Sequence, residues 1–108
     1  MARYVMITQS AALDGRDEEY NAWYDSQHIH EICAIPGVTG ARRLQATPVA
    51  LGTPGAPYIA LYEIETDDLG TFMAEMGKRS ADGSITRSGA MNRDASVLWI
   101  YADMTKDD

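Results

Sequence analysis

The chain has 108 residues, a length that suits one domain and leaves little room for a second. Hydrophobic residues make up 45% of the chain, a normal globular share that argues against disorder of the whole chain. The 16 acidic and 9 basic residues give a net charge of -7, which argues against binding to nucleic acid or to a membrane, since an electrostatic grip on either needs a basic patch.

Cysteine and histidine are scarce. Cys33 is the only cysteine, so no disulfide can form within the chain, and a reducing compartment, the cytoplasm, is expected. The first ten residues lack the apolar run of a signal peptide, and no stretch approaches the roughly 18 apolar residues of a membrane span. One cysteine and two histidines cannot build a structural zinc site alone, so no metal is predicted.

The first half of the chain predicts a strand followed by a long helix. Residues 3–9 are rich in β-favouring types and apolar on both faces, as in a central strand. The helix runs from about Asp17 to about Ala34 and stops before Pro36, because the residue before proline is pushed out of the helical region. On a helical projection one face carries Tyr20, Trp23, Tyr24, Gln27 and Glu31.

Three more strands and a shorter helix complete the pattern. The helix is predicted at roughly 68–78, and the polar stretch 79–94 that follows it is predicted to be a long loop of the kind that often forms a lid or a partner contact. A flexible tail is expected at 105–108. The remaining strands are predicted at residues 38–46, 57–66 and 95–103.

The resulting order is β-α-β-β-α-β, which predicts an α+β, ferredoxin-like domain over residues 1–104 with a four-stranded antiparallel sheet. Such a fold places both helices on one face of the sheet and leaves the other face bare. Because the predicted strands are apolar on both faces, the sheet of a second copy is the simplest cover for the bare face, and a homodimer is expected.

Three segments carry a resemblance to a known family: NAWYDSQHIHEICAIPGVTGARRL at 21–44, PYIALYEI at 57–64 and LWIY at 98–101. They resemble the dimeric α+β barrel superfamily, and within it the EthD-like branch, with its helix segment similar to W-Y-x-x-x-H-x-P, its I-P-G-V and A-R-R, and its Y-x-A-L-Y-E strand. The resemblance implies the fold. It does not imply one chemistry, because the superfamily includes cofactor-free monooxygenases, cyclases, isomerases, decarboxylases, lyases, haem enzymes and members of no assigned activity.

The resemblance places the family's helix histidine on His28. Histidine can serve as acid or base near neutral pH, and Tyr24 lies one helical turn away, so the pair could polarise or deprotonate a phenol or an acidic carbon. A buried histidine that hydrogen-bonds the sheet is the alternative interpretation.

His30 stands where the family often has proline, and it is a further candidate catalytic residue. On an ideal helix it projects about 160° from His28, so both can face one pocket only if the helix bends between Gln27 and Glu31. A surface or interface histidine is the alternative, and a shared metal is disfavoured because the two rings diverge.

Candidate substrate-binding residues come from the helix and the sheet. Arg43 could hold a carboxylate through two hydrogen bonds, although pairing on the surface of an acidic protein is the favoured explanation. Gln27 is a polar residue on the stripe that should face the sheet. The aromatic side chains could form the walls of a pocket, with core packing as the alternative: Tyr4, Trp23, Tyr62 and Trp99.

These observations favour a small cofactor-independent enzyme that binds an aromatic or phenolic carboxylate between the first helix and the sheet. The expected reaction is general acid–base chemistry: decarboxylation, isomerisation or lyase cleavage. No nucleotide cofactor is predicted, because the glycine spacing lacks a phosphate-cradling pattern. The alternatives are a cofactor-free monooxygenase and a non-catalytic ligand-binding accessory protein.

Overall fold

A computed structural model describes residues 1–53 and 55–105, and it confirms the predicted order of elements. The strands form one antiparallel sheet in the order β2-β3-β1-β4. Most of the predicted tail, 106–108, lies outside the described residues. The strands are β1 Ala2–Ser10, β2 Val38–Gln45, β3 Tyr58–Thr66 and β4 Val97–Ala102.

The first helix consists of three consecutive segments with different hydrogen-bond spacing. They are α1 Asp17–Trp23, a π-helical segment Tyr24–His28, and α2 Ile29–Cys33. The N–H of Ile29 is directed at the carbonyl oxygen of Tyr24, five residues back, which is the spacing of a π turn. A π turn inside an α-helix is rare and often lies at a functional site.

The core lies between the helices and one face of the sheet. Tyr62 of β3 lies opposite Met6 of β1, and both side chains are fully buried against Tyr20 and Tyr24 of the first helix and Phe72 of the second. Since side chains alternate along a strand, the neighbours of these strand residues point to the opposite face. Among residues 1–53 and 55–105 no helix covers that face, and the exposed aromatic residues of β4 lie on it.

The second helix, α3, spans Leu69–Asp82 and ends four residues later than predicted. Asp68 caps its start by accepting a hydrogen bond from the N–H of Thr71, and Gly83 ends it in the left-handed conformation at φ 87°. The extra turn extends the helix into the segment predicted as loop. In the described residues, no helix combines the length and the apolar character needed to cross a membrane.

Two glycines in different settings give a prediction about stability. Gly37 has φ 106°, and a Cβ atom there would lie 3.2 Å from the carbonyl oxygen of Glu65, whereas Gly77 in α3 has open space around it. We expect Gly37→Ala to lower the free energy of unfolding by about 1–3 kcal/mol. Gly77→Ala should raise it by about 0.5–1 kcal/mol, since alanine is the better helix former. Urea denaturation followed by circular dichroism measures both, and a stable Gly37→Ala variant would contradict the strained turn.

Candidate functional site

Two adjoining cavities meet at His28. The first, which we call the Trp23 cavity, has a volume of about 290 Å³. The second, which we call the Leu98 cavity, has a volume of about 270 Å³ and reaches the sheet. The two share three lining residues, so a molecule in either one touches the same imidazole: His28, Met91 and Arg93.

The π segment sets the position of the His28 ring. In a regular α-helix the fifth residue after Trp23 would project about 140° away from it. Here the indole of Trp23 and the imidazole of His28 stack with ring centroids 4.5 Å apart and planes 21° from parallel. The ring of Tyr24 meets the same imidazole edge to face at 4.8 Å. The imidazole is therefore held between two aromatic rings one residue apart in sequence.

A hydrogen-bonded chain of side chains fixes the other side of the imidazole. The Nδ1 atom of His28 lies 3.4 Å from the Oε1 atom of Glu31. The Glu31 carboxylate also accepts hydrogen bonds from the backbone N–H of Thr86 at 2.9 Å and from its hydroxyl at 2.8 Å. The indole N–H of Trp23 donates to that hydroxyl at 2.9 Å. Histidine, carboxylate and loop thus form one connected network.

Burial and charge give the two ionisable groups of this network their protonation states. Burial lowers the pKa of His28 below its ordinary 6.5, although the hydrogen bond and charge of Glu31 act in the opposite direction. For Glu31, burial raises the pKa, but the hydrogen bonds from Thr86 and the contact with His28 outweigh it, and the net pKa lies below the ordinary value. At neutral pH the site therefore holds a neutral imidazole beside a charged carboxylate.

Tyr24 and Tyr62 form a buried pair rather than two free hydroxyls. Their oxygen atoms lie 2.8 Å apart, and the Tyr24 hydroxyl is also 3.2 Å from the hydroxyl of Thr8. Burial raises the pKa of both phenols above the ordinary 10, so both stay protonated at neutral pH. Tyr24 lines the Leu98 cavity, whereas Tyr62 lies behind it in the core.

Arg43 does not reach the cavities at His28. Its guanidinium donates to the carboxylate of Asp25 at 2.9 Å and to the side-chain oxygen of Asn21 at 2.8 Å, and it lies over the ring of Tyr24 at 4.3 Å. It lines a different cavity, at the outer side of the first helix and β2. Its Nη1 and Nη2 atoms are held by these partners, while its buried Nε atom has no hydrogen-bond partner within the described part of the chain. The assignment of a substrate carboxylate to Arg43 is therefore not the arrangement found, because the group lies outside both cavities at His28.

Four other predicted site residues line neither cavity. His30 is exposed, and Gln27, also exposed, accepts a hydrogen bond from the Thr86 hydroxyl at 3.5 Å, at the edge of the Glu31 network. Trp99 lies on the bare face, since it is paired with Ile7 of β1 and its neighbour Leu98 faces the cavity. Tyr4 packs against the core and lines neither cavity.

The loop between α3 and β4 supplies residues that the sequence analysis missed. Met91 and Arg93 line both cavities, and Thr86 anchors the loop through Glu31. The loop is held near β1 by backbone hydrogen bonds from Leu13 to Ala90 and from Asn92 to Ala11. These contacts join residues about 80 positions apart, and the only sequence signal was the polar, glycine-containing composition of the loop.

Few groups in the site could hold a metal. Within residues 1–53 and 55–105, no group of three or more histidine, cysteine or acidic side chains is arranged to bind an ion. His28 is the histidine that faces the cavities, and its Nδ1 atom is directed at Glu31. One imidazole nitrogen remains to face a bound molecule, and it is suited to proton transfer.

Comparison with solved structures supports the fold. An EthD-family protein from Bacillus halodurans C-125 has a TM-score of 0.63 at 14% identity, with 96% of this chain and 100% of that chain covered. The haem degrader MhuD from Mycobacterium tuberculosis has a TM-score of 0.68 at 16% identity, covering 97% and 99%. A dimeric ferredoxin-like protein of unknown function from Thermobifida fusca YX has a TM-score of 0.60 at 13% identity, covering 94% and 91%.

The chain has the ferredoxin-like fold of EthD-like proteins, as the resemblance implied. At these identities the likeness concerns the fold alone. No protein-family model and no curated protein matches the sequence.

The lowered pKa of His28 gives a prediction about pH and stability. Below pH 6.5 the unfolded chain takes up a proton on this histidine that the folded chain resists, so the free energy of unfolding should fall as the pH drops from 6.5 through the folded value. His28→Asn should remove this part of the pH dependence. His30→Asn is the matched control, because His30 is exposed. Urea denaturation between about pH 7.5 and 5 measures the slopes, and equal slopes in all three proteins would contradict the assignment.

Proposed function

We propose that the chain is a small enzyme that carries out general acid–base chemistry on a small organic acid, aromatic or phenolic, bound at His28. The observation that carries this proposal is the neutral imidazole facing two cavities while a charged carboxylate lies at its Nδ1 atom. A histidine oriented by a carboxylate is the usual arrangement of a general base. Decarboxylation, isomerisation and lyase cleavage are the reactions that this chemistry serves.

In the proposed mechanism, His28 donates its Nδ1 proton to Glu31 in a hydrogen bond and presents the Nε2 lone pair to the substrate. This tautomer is assigned from the hydrogen-bond network. Nε2 takes a proton from a phenol or from a carbon next to a carbonyl group, and the electron pair of the broken bond stays on the substrate. The imidazolium that forms is stabilised by the Glu31 carboxylate, and it returns the proton to the product.

Tyr24 and Glu31 act through His28 in this proposal. Tyr24 holds the face of the imidazole and forms part of the cavity wall, with its hydroxyl engaged by Tyr62 and Thr8. Glu31 fixes the ring orientation and raises the basicity of the imidazole. Both are positioning residues, and the proton transfer itself is assigned to His28.

Replacement of His28 tests the mechanism. After a screen of aromatic and phenolic acids by mass spectrometry, we expect His28→Ala to lower kcat by about 100-fold or more, the usual loss for an acid–base group. His30→Ala is the control and should keep full activity. Unchanged turnover in His28→Ala would contradict the acid–base role. Consumption of oxygen during turnover would point to the monooxygenase alternative, and binding without any product to the accessory-protein alternative.

The second arm of this experiment is Glu31→Gln. Removal of the negative charge takes away the interaction that raises the pKa of His28, so the acid limb of the kcat/KM profile should move to lower pH while the plateau falls. A merely structural role would lower activity without moving that limb. An acid limb that moves to higher pH would contradict the proposed coupling.

We further propose that two copies associate through the bare face of the sheet. Trp99 is 64% exposed there and Tyr101 49%, beside Val97 at 58%. An apolar surface of this kind favours association, and one similar structure, that from Thermobifida fusca, is described as dimeric.

The dimer is tested by light scattering coupled to size-exclusion chromatography. We expect about twice the chain mass of 11.8 kDa for the native protein. Trp99→Glu places a charge in the contact and should give a monomer, since burial of an unpaired charge is costly. Met73→Glu is the control, on an exposed apolar residue of α3. A native protein that elutes at the mass of one chain would contradict the proposal.

A further inference from the structure

Two arginines at the cavities stand out because their charges are unpaired in an acidic protein. Among the described residues, the guanidinium groups of Arg87 and Arg93 make no hydrogen bond or ion pair, as is also true of Arg42 on β2. By contrast, Arg16, Arg43 and Arg79 are each held by a carboxylate at 2.7–2.9 Å. The net charge of -7 supplies many possible partners, yet over the residues that the structure describes, the two guanidinium groups that line the Trp23 cavity are paired with none of them.

Arg93 has a particular position relative to His28. It is one of the three residues that line both the Trp23 cavity and the Leu98 cavity, and Arg87 lines the Trp23 cavity only. A molecule in either cavity therefore lies next to both the imidazole of His28 and the guanidinium group of Arg93. An anionic group at Arg93 would fix which atoms of the molecule face the base.

The remaining walls are apolar. The Trp23 cavity is bounded by the indole of Trp23 and by the side chains of Ile85 and Met91, and the Leu98 cavity by Met91, Val97 and Leu98. Pockets of this type, mostly apolar with a few directed polar groups, bind amphipathic small molecules. Methionine and tryptophan are well suited to contact an aromatic ring.

We propose that Arg93, supported by Arg87 at the opening, binds the carboxylate of a substrate whose apolar body lies along Trp23 or Met91. Arginine keeps its charge at physiological pH, and its planar fork matches the two oxygens of a carboxylate. The proposal rests on the proposed function in one respect: His28 acts on the molecule that Arg93 orients. It assigns the role predicted for Arg43 to a loop residue.

The experiment measures the affinity of the full chain for matched pairs of probes. Benzoate, 4-hydroxybenzoate and 4-hydroxyphenylacetate are each compared with the corresponding neutral amide, by titration followed with ¹H–¹⁵N NMR spectra. The variants are Arg93→Gln and Arg93→Lys. Arg42→Gln is the control, because Arg42 is an exposed arginine that lines a different cavity, on β1, β2 and β3, and its loss changes the net charge equally. Since Arg42 is on the sheet face of Trp99, the mass of this variant in solution is checked by light scattering.

We expect at least one carboxylate to bind the native chain about tenfold or more tightly than its amide, the value of a charge-assisted hydrogen bond. Arg93→Gln should abolish this preference and leave the amide affinity unchanged, Arg93→Lys should keep part of it, and Arg42→Gln should keep all of it. The proposal is overturned if no carboxylate outbinds its amide, or if Arg42→Gln weakens the carboxylate as much as Arg93→Gln does.

Failure of this inference and failure of the proposed function have different signatures. Once a substrate is in hand, Arg93→Gln should raise KM about tenfold or more and lower kcat far less than His28→Ala does. A carboxylate preference that depends on Arg93 in a chain whose His28→Ala variant keeps full turnover would overturn the acid–base function and leave the binding role intact. Loss of kcat in His28→Ala with no carboxylate preference would overturn the binding role of Arg93 and leave the acid–base function intact.

Discussion

The Glu31 carboxylate accepts hydrogen bonds from both the backbone N–H and the hydroxyl of Thr86, and this contact joins the loop after α3 to the middle of the first helix. The cavities depend on it, because the loop supplies Met91 and Arg93 to both. The orientation of His28 depends on it as well, since the same carboxylate lies at its Nδ1 atom. One side chain thus helps to hold the loop that lines the pocket, together with the backbone hydrogen bonds of Leu13 and Asn92, and also orients the base.

Charge in and around the site is arranged to keep the imidazole neutral. Burial is the main cause of the lowered pKa of His28, and the Arg43 guanidinium, stacked on the ring of Tyr24, adds to it. Glu31 opposes both, which leaves the imidazole neutral yet supported when it accepts a proton. The same Arg43 is held by Asp25, so its charge acts from a fixed place outside the cavities.

Local sequence patterns were enough to predict the fold, because strand composition, turn residues and helix periodicity are properties of short segments. The four strands, both helices and the role of Pro36 as a helix stop follow from such signals. The extension of α3 to Asp82 was missed because its last turn is polar, and it is supported by an ion pair between Arg79 and Glu75 at 2.8 Å.

The candidate site was predicted only in part, because its geometry depends on contacts that no short segment contains. The proximity of Tyr24 and His28 follows from a spacing of four residues, and it was found. The stacking of Trp23 on His28 was not, because a helical projection assumes 3.6 residues per turn throughout. Arg93 was missed because only the long-range return of its loop brings it to the helix.

The assignment of residues to the two faces of the sheet also depends on contacts that no short segment contains. Alternation correctly separates the residues of each strand into two sets, but it does not say which set faces the helices. Trp99 was assigned to the pocket, and its pairing with Ile7 places it on the other side. The register between β1 and β4 decides this, and register depends on the whole sheet.

The π segment also divides the first helix into two halves whose relative rotation depends on one residue. A π turn contains one residue more than an α turn, and each residue of an α-helix turns the chain by about 100°. The π turn takes up this residue, so Ile29–Cys33 keeps the orientation against Asp17–Trp23 that it would have in an uninterrupted α-helix one residue shorter. If Tyr24–His28 instead adopted α-helical spacing with every residue retained, Ile29–Cys33 would rotate by about 100°. Glu31 would then leave Thr86, and Ile32 would leave the core. The hydrogen-bond spacing of this helix is thus as much a part of the site as the side chains that line it.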